Sequence, residues 1–184
     1  KEVIATASGD FSSYEELGYL MADAQRAAAG ADIALVNPGG VRIDRLASGP
    51  VRVMHVFQLD PFGNELVVTR LTGHEIRSLM LAAYPVDDRL PIYPSGIRTR
   101  LRLDASGNLG DVVLMAENGS PLEMDKTYTV AMNSYMTLVY KYTHPDQGQS
   151  LFITTADATI SYLRKIKDVR SYKGEKRVVV NKFN

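Results

Sequence analysis

The sequence predicts an α+β fold: one domain of mixed, partly antiparallel sheet pairing with helices packed on the sheet faces. Three observations carry this expectation. Helical periodicities and strand-like runs interleave along the chain. Several successive strand runs are joined by short turns, which suit antiparallel neighbours and not parallel crossovers. No repeat, low-complexity tract or Pro/Gly/Ser-rich linker divides the chain, so its 184 residues read as a single unit, 1–184.

The elements follow in order. Val3 to Thr6 is β-like. A helix is expected over 14–29: Ser13 and Glu16 have capping-box spacing, Leu17, Leu20, Met21, Ala24 and Ala28 recur at helical period, and Gly30 suits the end. Residues 32–36 form a short apolar run that reads as a buried strand. A further strand is expected over 65–70, then a helix opened by a second capping box, Thr72 and Glu75, with Ile76, Leu79, Met80 and Ala83 on one face. Ile97, Thr99, Leu101 and Leu103 alternate with Arg98, Arg100 and Arg102, the pattern of a half-buried strand. Strands over 111–116 and 127–132 follow, then a long loop over 135–149, a helix over 155–166 and a closing strand over 177–180.

Composition removes several functional classes. Twenty-one basic and twenty-one acidic residues cancel, leaving none of the basic surplus with which proteins displace counterions from nucleic acid. No nucleic-acid partner is expected, although a local group of arginines can still hold one small anion. With no cysteine there is no disulfide, thiolate metal site or cysteine nucleophile. No apolar run approaches the roughly 20 residues that span a membrane.

Two loops carry the recognisable chemistry. Asn37-Pro38-Gly39-Gly40-Val41-Arg42 follows directly on a strand. Gly39 and Gly40 let backbone amides approach a ligand, Arg42 offers a planar fork for phosphate or carboxylate, and Asn37 can fix a polar edge. The plainer alternative is a tight turn whose arginine pairs with Asp44. In Pro61-Phe62-Gly63-Asn64, Phe62 can stack on a planar ligand, worth roughly 1–3 kcal/mol per base; alternatively it plugs the core. His55, His74 and His144 are scattered and match no metal-ligand spacing. Asp87 and Asp88 read as solvated loop carboxylates. No catalytic centre and no cofactor are expected within the chain itself.

Taken in order, these pieces become specific. Gly18-x-Leu20-x-x-Asp23-Ala24, the run from Ala31 to Arg42, Pro61 to Asn64 and Leu71-Thr72-Gly73-x-Glu75 together resemble the C-terminal domain of the 5′-nucleotidase family. Ser95-Gly96-Ile97, Lys126-Thr127-Tyr128-x-Val130 and Asp157-Ala158 extend the resemblance over nearly the whole chain. In that family a separate metallophosphatase domain holds two divalent metal ions, and the C-terminal domain binds the nucleotide and swings it towards them. The resemblance implies that Asn37 and Arg42 are substrate-binding positions, that Phe62 is one of two rings sandwiching the base, and that Asn64 lies where base contacts occur. It also implies export out of the cytoplasm, a nucleotide or nucleoside-like ligand, and a metallophosphatase partner in cis or in trans.

The chain departs from the family at two places. No arginine stands between Phe11 and Tyr19, where the family usually has a further phosphate contact. The family's Gly-Gly-Asp-Gly-(Phe/Tyr) loop, source of the second ring and an aspartate, is absent after Ser134. Tyr135, Tyr140 and Tyr142 are the candidates to replace that ring. Three readings follow, in this order: the substrate-binding part of a phosphohydrolase, a non-catalytic binding module for a nucleoside-like ligand, and a structural interaction domain. A buried Phe62 and no cleft beside Arg42 would support the last.

Overall fold

The computed structural model describes residues 2–87, 89 and 91–182. Along the chain run β1 (Val3–Ala7), α1 (Tyr14–Ala29), β2 (Ile33–Val36), β3 (Gly49–Arg52), α2 (Val53–Leu59), β4 (Glu65–Thr72), α3 (Gly73–Asp87) and β5 (Tyr93–Ser95). They are followed by β6 (Ile97–Leu103), β7 (Leu109–Ala116), β8 (Thr127–Asn133), α4 (Ser134–Val139), β9 (Gln149–Thr154), α5 (Thr155–Ile166), β10 (Asp168–Val169) and β11 (Val178–Lys182). The fold is α+β, with three mixed sheets ordered β10-β1-β3, β11-β6-β7 and β5-β2-β8-β4-β9.

The five-stranded sheet positions everything that follows. Its centre is β8, parallel to β2 (Ile33 opposite Val130) and antiparallel to β4 (Leu66 opposite Asn133). Side chains alternate across it. Ile33, Leu35, Val130 and Met132 join the main core, whereas Ala34, Leu66 and Ala131 meet Ala158 of α5 in a second cluster. Three alanines at that contact allow the helix to approach the sheet closely. Every residue of β2 is buried, as its unbroken apolar run requires.

The caps show how local sequence sets the helices. At α3, Thr72 Oγ1 accepts from the Glu75 amide at 3.2 Å, and the Glu75 carboxylate accepts in return from the Thr72 amide at 2.8 Å, the full reciprocal box. At α1, Ser13 caps the Glu16 amide at 3.1 Å, but the Glu16 carboxylate reaches one residue further back, to the Ser12 amide at 2.6 Å. Gly30 ends α1 in the left-handed conformation, φ 59°.

One expectation is corrected. The segment 135–149 is not loop throughout: α4 begins at its edge, capped by Asn133, whose side chain accepts from the Met136 amide at 2.9 Å. A six-residue helix is too short to register as a period. The elements β3, α2, β5, β9 and β10 also go unread in the sequence. Strand β9 is also irregular, since Phe152 has φ 58° and the register against β4 shifts between Glu65 and Val67. Asp87 is the last residue of α3, not part of a solvated loop; its neighbour Asp88 lies outside the described residues.

Candidate functional site

The site forms where three strands of the central sheet reach the same end: the close of β2, the close of β8 and the start of β4. Beyond β2 the chain makes one 3-10 turn, Pro38–Gly40, with Pro38 in the first helical position. Asn37 is buried, and its Oδ1 accepts from Asn133 Nδ2 at 2.8 Å. Because Asn133 also caps α4, one side chain ties the turn after β2 to the helix after β8. A Cβ at Gly40 would stand 2.9 Å from Asn37 Oδ1, so a side chain there would have to displace the amide that accepts from Asn133.

Arg42 follows, its amide bonded to the Leu59 carbonyl at 3.0 Å and its side chain exposed. Its guanidinium makes no ion pair with Asp44 or any other described residue; it lies 5.6 Å from the centroid of the Phe62 ring. Phe62 is 50% exposed, so it does not plug the core. The loop that presents it is fixed from α5: the Thr155 amide bonds the Asn64 carbonyl at 2.9 Å, and the Thr155 hydroxyl donates to buried Asp60. Burial raises the pKa of Asp60, against the lowering effect of that hydroxyl and of the Phe62 amide. Gly63 turns the loop with φ 67°, which favours glycine.

The opposite wall comes from α4 and α3. Tyr135 and Asp87 complete an open cleft of about 360 Å³ that is also lined by Asn37, Gly39, Gly40, Arg42, Phe62 and Asn64. The structure therefore brings seven of the nine sequence-derived candidates together. Tyr140 is buried behind the wall, edge-on to Tyr135 with ring centroids 6.1 Å apart. Tyr142 is not among the lining side chains; it stacks on the His144 imidazole at 4.2 Å. Sequence reading missed Asp87, whose carboxylate accepts from both the Tyr135 and the Tyr140 hydroxyls.

The cleft thus offers an exposed aromatic face, one guanidinium, one carboxylate, asparagine amides and the backbone of a glycine turn. That set recognises a small planar ligand bearing polar groups. Among the described residues no group of three or more His, Asp or Glu side chains could hold a metal ion, and no helix is long and apolar enough to cross a membrane.

Residues 3–139 match the family model described as "5'-nucleotidase, C-terminal domain". The chain belongs to the 5′-nucleotidase C-terminal domain family. Among curated relatives of this family member, Endonuclease YhcR of Bacillus subtilis is 29% identical over 88% of the chain and 13% of its own length. A 5'-nucleotidase of Vibrio vulnificus is 34% identical over 65% of the chain and 21% of its own. Cell wall protein Lmo0130 of Listeria monocytogenes is 32% identical over 66% of the chain and 17% of its own. Of solved structures, a 5'-nucleotidase precursor from Thermus thermophilus superposes with a TM-score of 0.77 at 28% identity, over 98% of this chain and 39% of that one. The chain thus spans only 13–21% of the length of these curated relatives.

Proposed function

We propose that this 5′-nucleotidase C-terminal domain recognises a nucleotide or nucleoside and presents it to a metallophosphatase half carried in cis or in trans. The observation that carries the reading is the pairing of half-exposed Phe62 with unpaired Arg42 on one cleft. A ring left in water beside a guanidinium with no carboxylate is poorly explained as core filling or as a structural ion pair. It is well explained as a stacking face next to an anion contact.

In this reading Phe62 stacks on the base and Tyr135, the tyrosine on the cleft wall, supplies the second ring. Arg42 meets the phosphate or ribose side, and Asn37, Asn64 and the amides at Gly39 and Gly40 order the polar edges. Two divalent metal ions on the other half would supply the chemistry at phosphorus; the residues of this chain bind and orient. The family and the relative named as a cell wall protein support placing the domain outside the cytoplasm.

The test is calorimetric titration of the metal-free domain with adenosine, AMP and a UDP-sugar, alongside Phe62→Ala and Arg42→Ala. Binding that both substitutions weaken establishes the site. No heat from any ligand, in a protein shown to be folded, overturns the reading and favours a structural domain.

A further inference from the structure

Stacking on Phe62 and an anion contact at Arg42 leave one charged group of the cleft without a task. Asp87 ends α3 and lines the cleft. Its Oδ1 accepts from the Tyr135 hydroxyl at 3.3 Å, and its Oδ2 accepts from the Tyr140 hydroxyl. Burial, with the carboxylate bonds added, holds the Tyr140 hydroxyl far above the ordinary tyrosine range, so it remains a donor at any working pH. No described cation forms an ion pair with Asp87. A carboxylate has about four acceptor positions, and two tyrosines occupy only two of them.

We propose that Asp87 is a specificity residue of the cleft: it accepts a hydrogen bond from a hydroxyl or amine of the ligand and opposes added negative charge. The domain therefore favours nucleosides and nucleoside monophosphates over di- and triphosphates. This rests on the nucleotide-binding reading above. The two hydroxyls hold the carboxylate in one orientation, so that no ordering cost falls on the ligand's arrival. Among the described residues Arg42 is the only guanidinium on the lining and Asp87 the only carboxylate, so the cleft as a whole carries no surplus positive charge to receive a second or third phosphate.

Affinities for adenosine, AMP, ADP and ATP would be measured by calorimetry for the unaltered chain and for Asp87→Asn, Asp87→Ser and Tyr140→Phe. The unaltered chain is expected to bind ATP more weakly than adenosine. Asp87→Asn should weaken adenosine roughly tenfold, the effect of losing a charged acceptor, while ATP loses little or gains. Asp87→Ser gives the same ratio if the asparagine variant does not fold. Tyr140→Phe, which keeps the carboxylate, should leave the ATP-to-adenosine ratio within about twofold. An equal change for every ligand, or an unmoved ratio, overturns the proposal. If adenosine still binds and Phe62→Ala still weakens it, the nucleotide-binding reading stands without this one; if the unaltered chain binds nothing, both fall.

Discussion

Arg177 grips both oxygens of Asp23, with Nη1–Oδ1 at 2.6 Å and Nη2–Oδ2 at 2.9 Å. Ser95 and Tyr172 each donate a further bond to that carboxylate, at 2.7 Å. The pair joins the middle of α1 to the segment entering β11, 154 residues later. Both side chains are largely buried, so removing Asp23 leaves Arg177 with only Glu175 at 3.2 Å and the Pro94 carbonyl at 3.0 Å to compensate it.

Asp23→Ala should therefore destabilise the fold by up to about 3–5 kcal/mol in urea titrations, the lower end being expected while Glu175 still faces Arg177. The pH dependence has a definite sign. Burial alone would raise the Asp23 pKa, but Arg177, Tyr172 and Ser95 outweigh it and lower the value. A carboxyl depressed in the folded state contributes its stability above its unfolded pKa, near ~3.9, and loses it as pH falls through the folded value. The stability gap between the unaltered chain and Asp23→Asn should be constant above about pH 5 and shrink below about pH 4.

Gly18→Ala should be destabilising, against the usual direction. Alanine in a helix interior is favoured over glycine by about 1 kcal/mol. At position 18, however, a Cβ would lie 2.3 Å from the buried Tyr93 ring. Overpacking of that kind typically costs about 1–3 kcal/mol, enough to reverse the sign. A lower thermal midpoint in the alanine variant is expected; a higher one contradicts the packing described.

Asn133→Ala should cost about 1–3 kcal/mol, because it removes both the cap of α4 and the bond to Asn37. It should also weaken ligand binding, since the turn carrying Gly39 and Gly40 loses its anchor. Chemical denaturation and calorimetry on the same sample separate the two effects.

Phe62→Ala should do the reverse. The ring is half exposed, so stability should change by about 0.5 kcal/mol or less. Adenosine affinity should fall by roughly 1–3 kcal/mol, the measured range for a stacked base. A large loss of stability would return Phe62 to the core.

How much was legible depends on whether the information was local. The caps at Ser13 and Thr72 and the alternation over Ile97 to Leu103 are short-range patterns, and the structure follows them. Asn37, Arg42 and Phe62 stood out because their loops carry glycine and proline beside a strand, whereas Asn64 came only from the family resemblance. Asp87 was missed because, adjacent to Asp88, it read as a solvated loop carboxylate, and because its partners lie 48 and 53 residues away. No periodicity relates such positions. Among Tyr135, Tyr140 and Tyr142 the sequence held no signal to choose, since the choice depends on a helix too short to show one.

The strand order also has a kinetic consequence. The strand at the centre of the main sheet, β8, comes after both of its neighbours in the chain, and it pairs with β2 far along the sequence (Ile33 opposite Val130). A chain emerging from the ribosome would hold β2 and β4 as unjoined halves, each with an open edge, until residues 127–133 had been made. Non-local pairing of this kind slows folding. The closing of the sheet around β8 should be the slow event in refolding, and the cleft, which depends on Asn133, cannot exist before it.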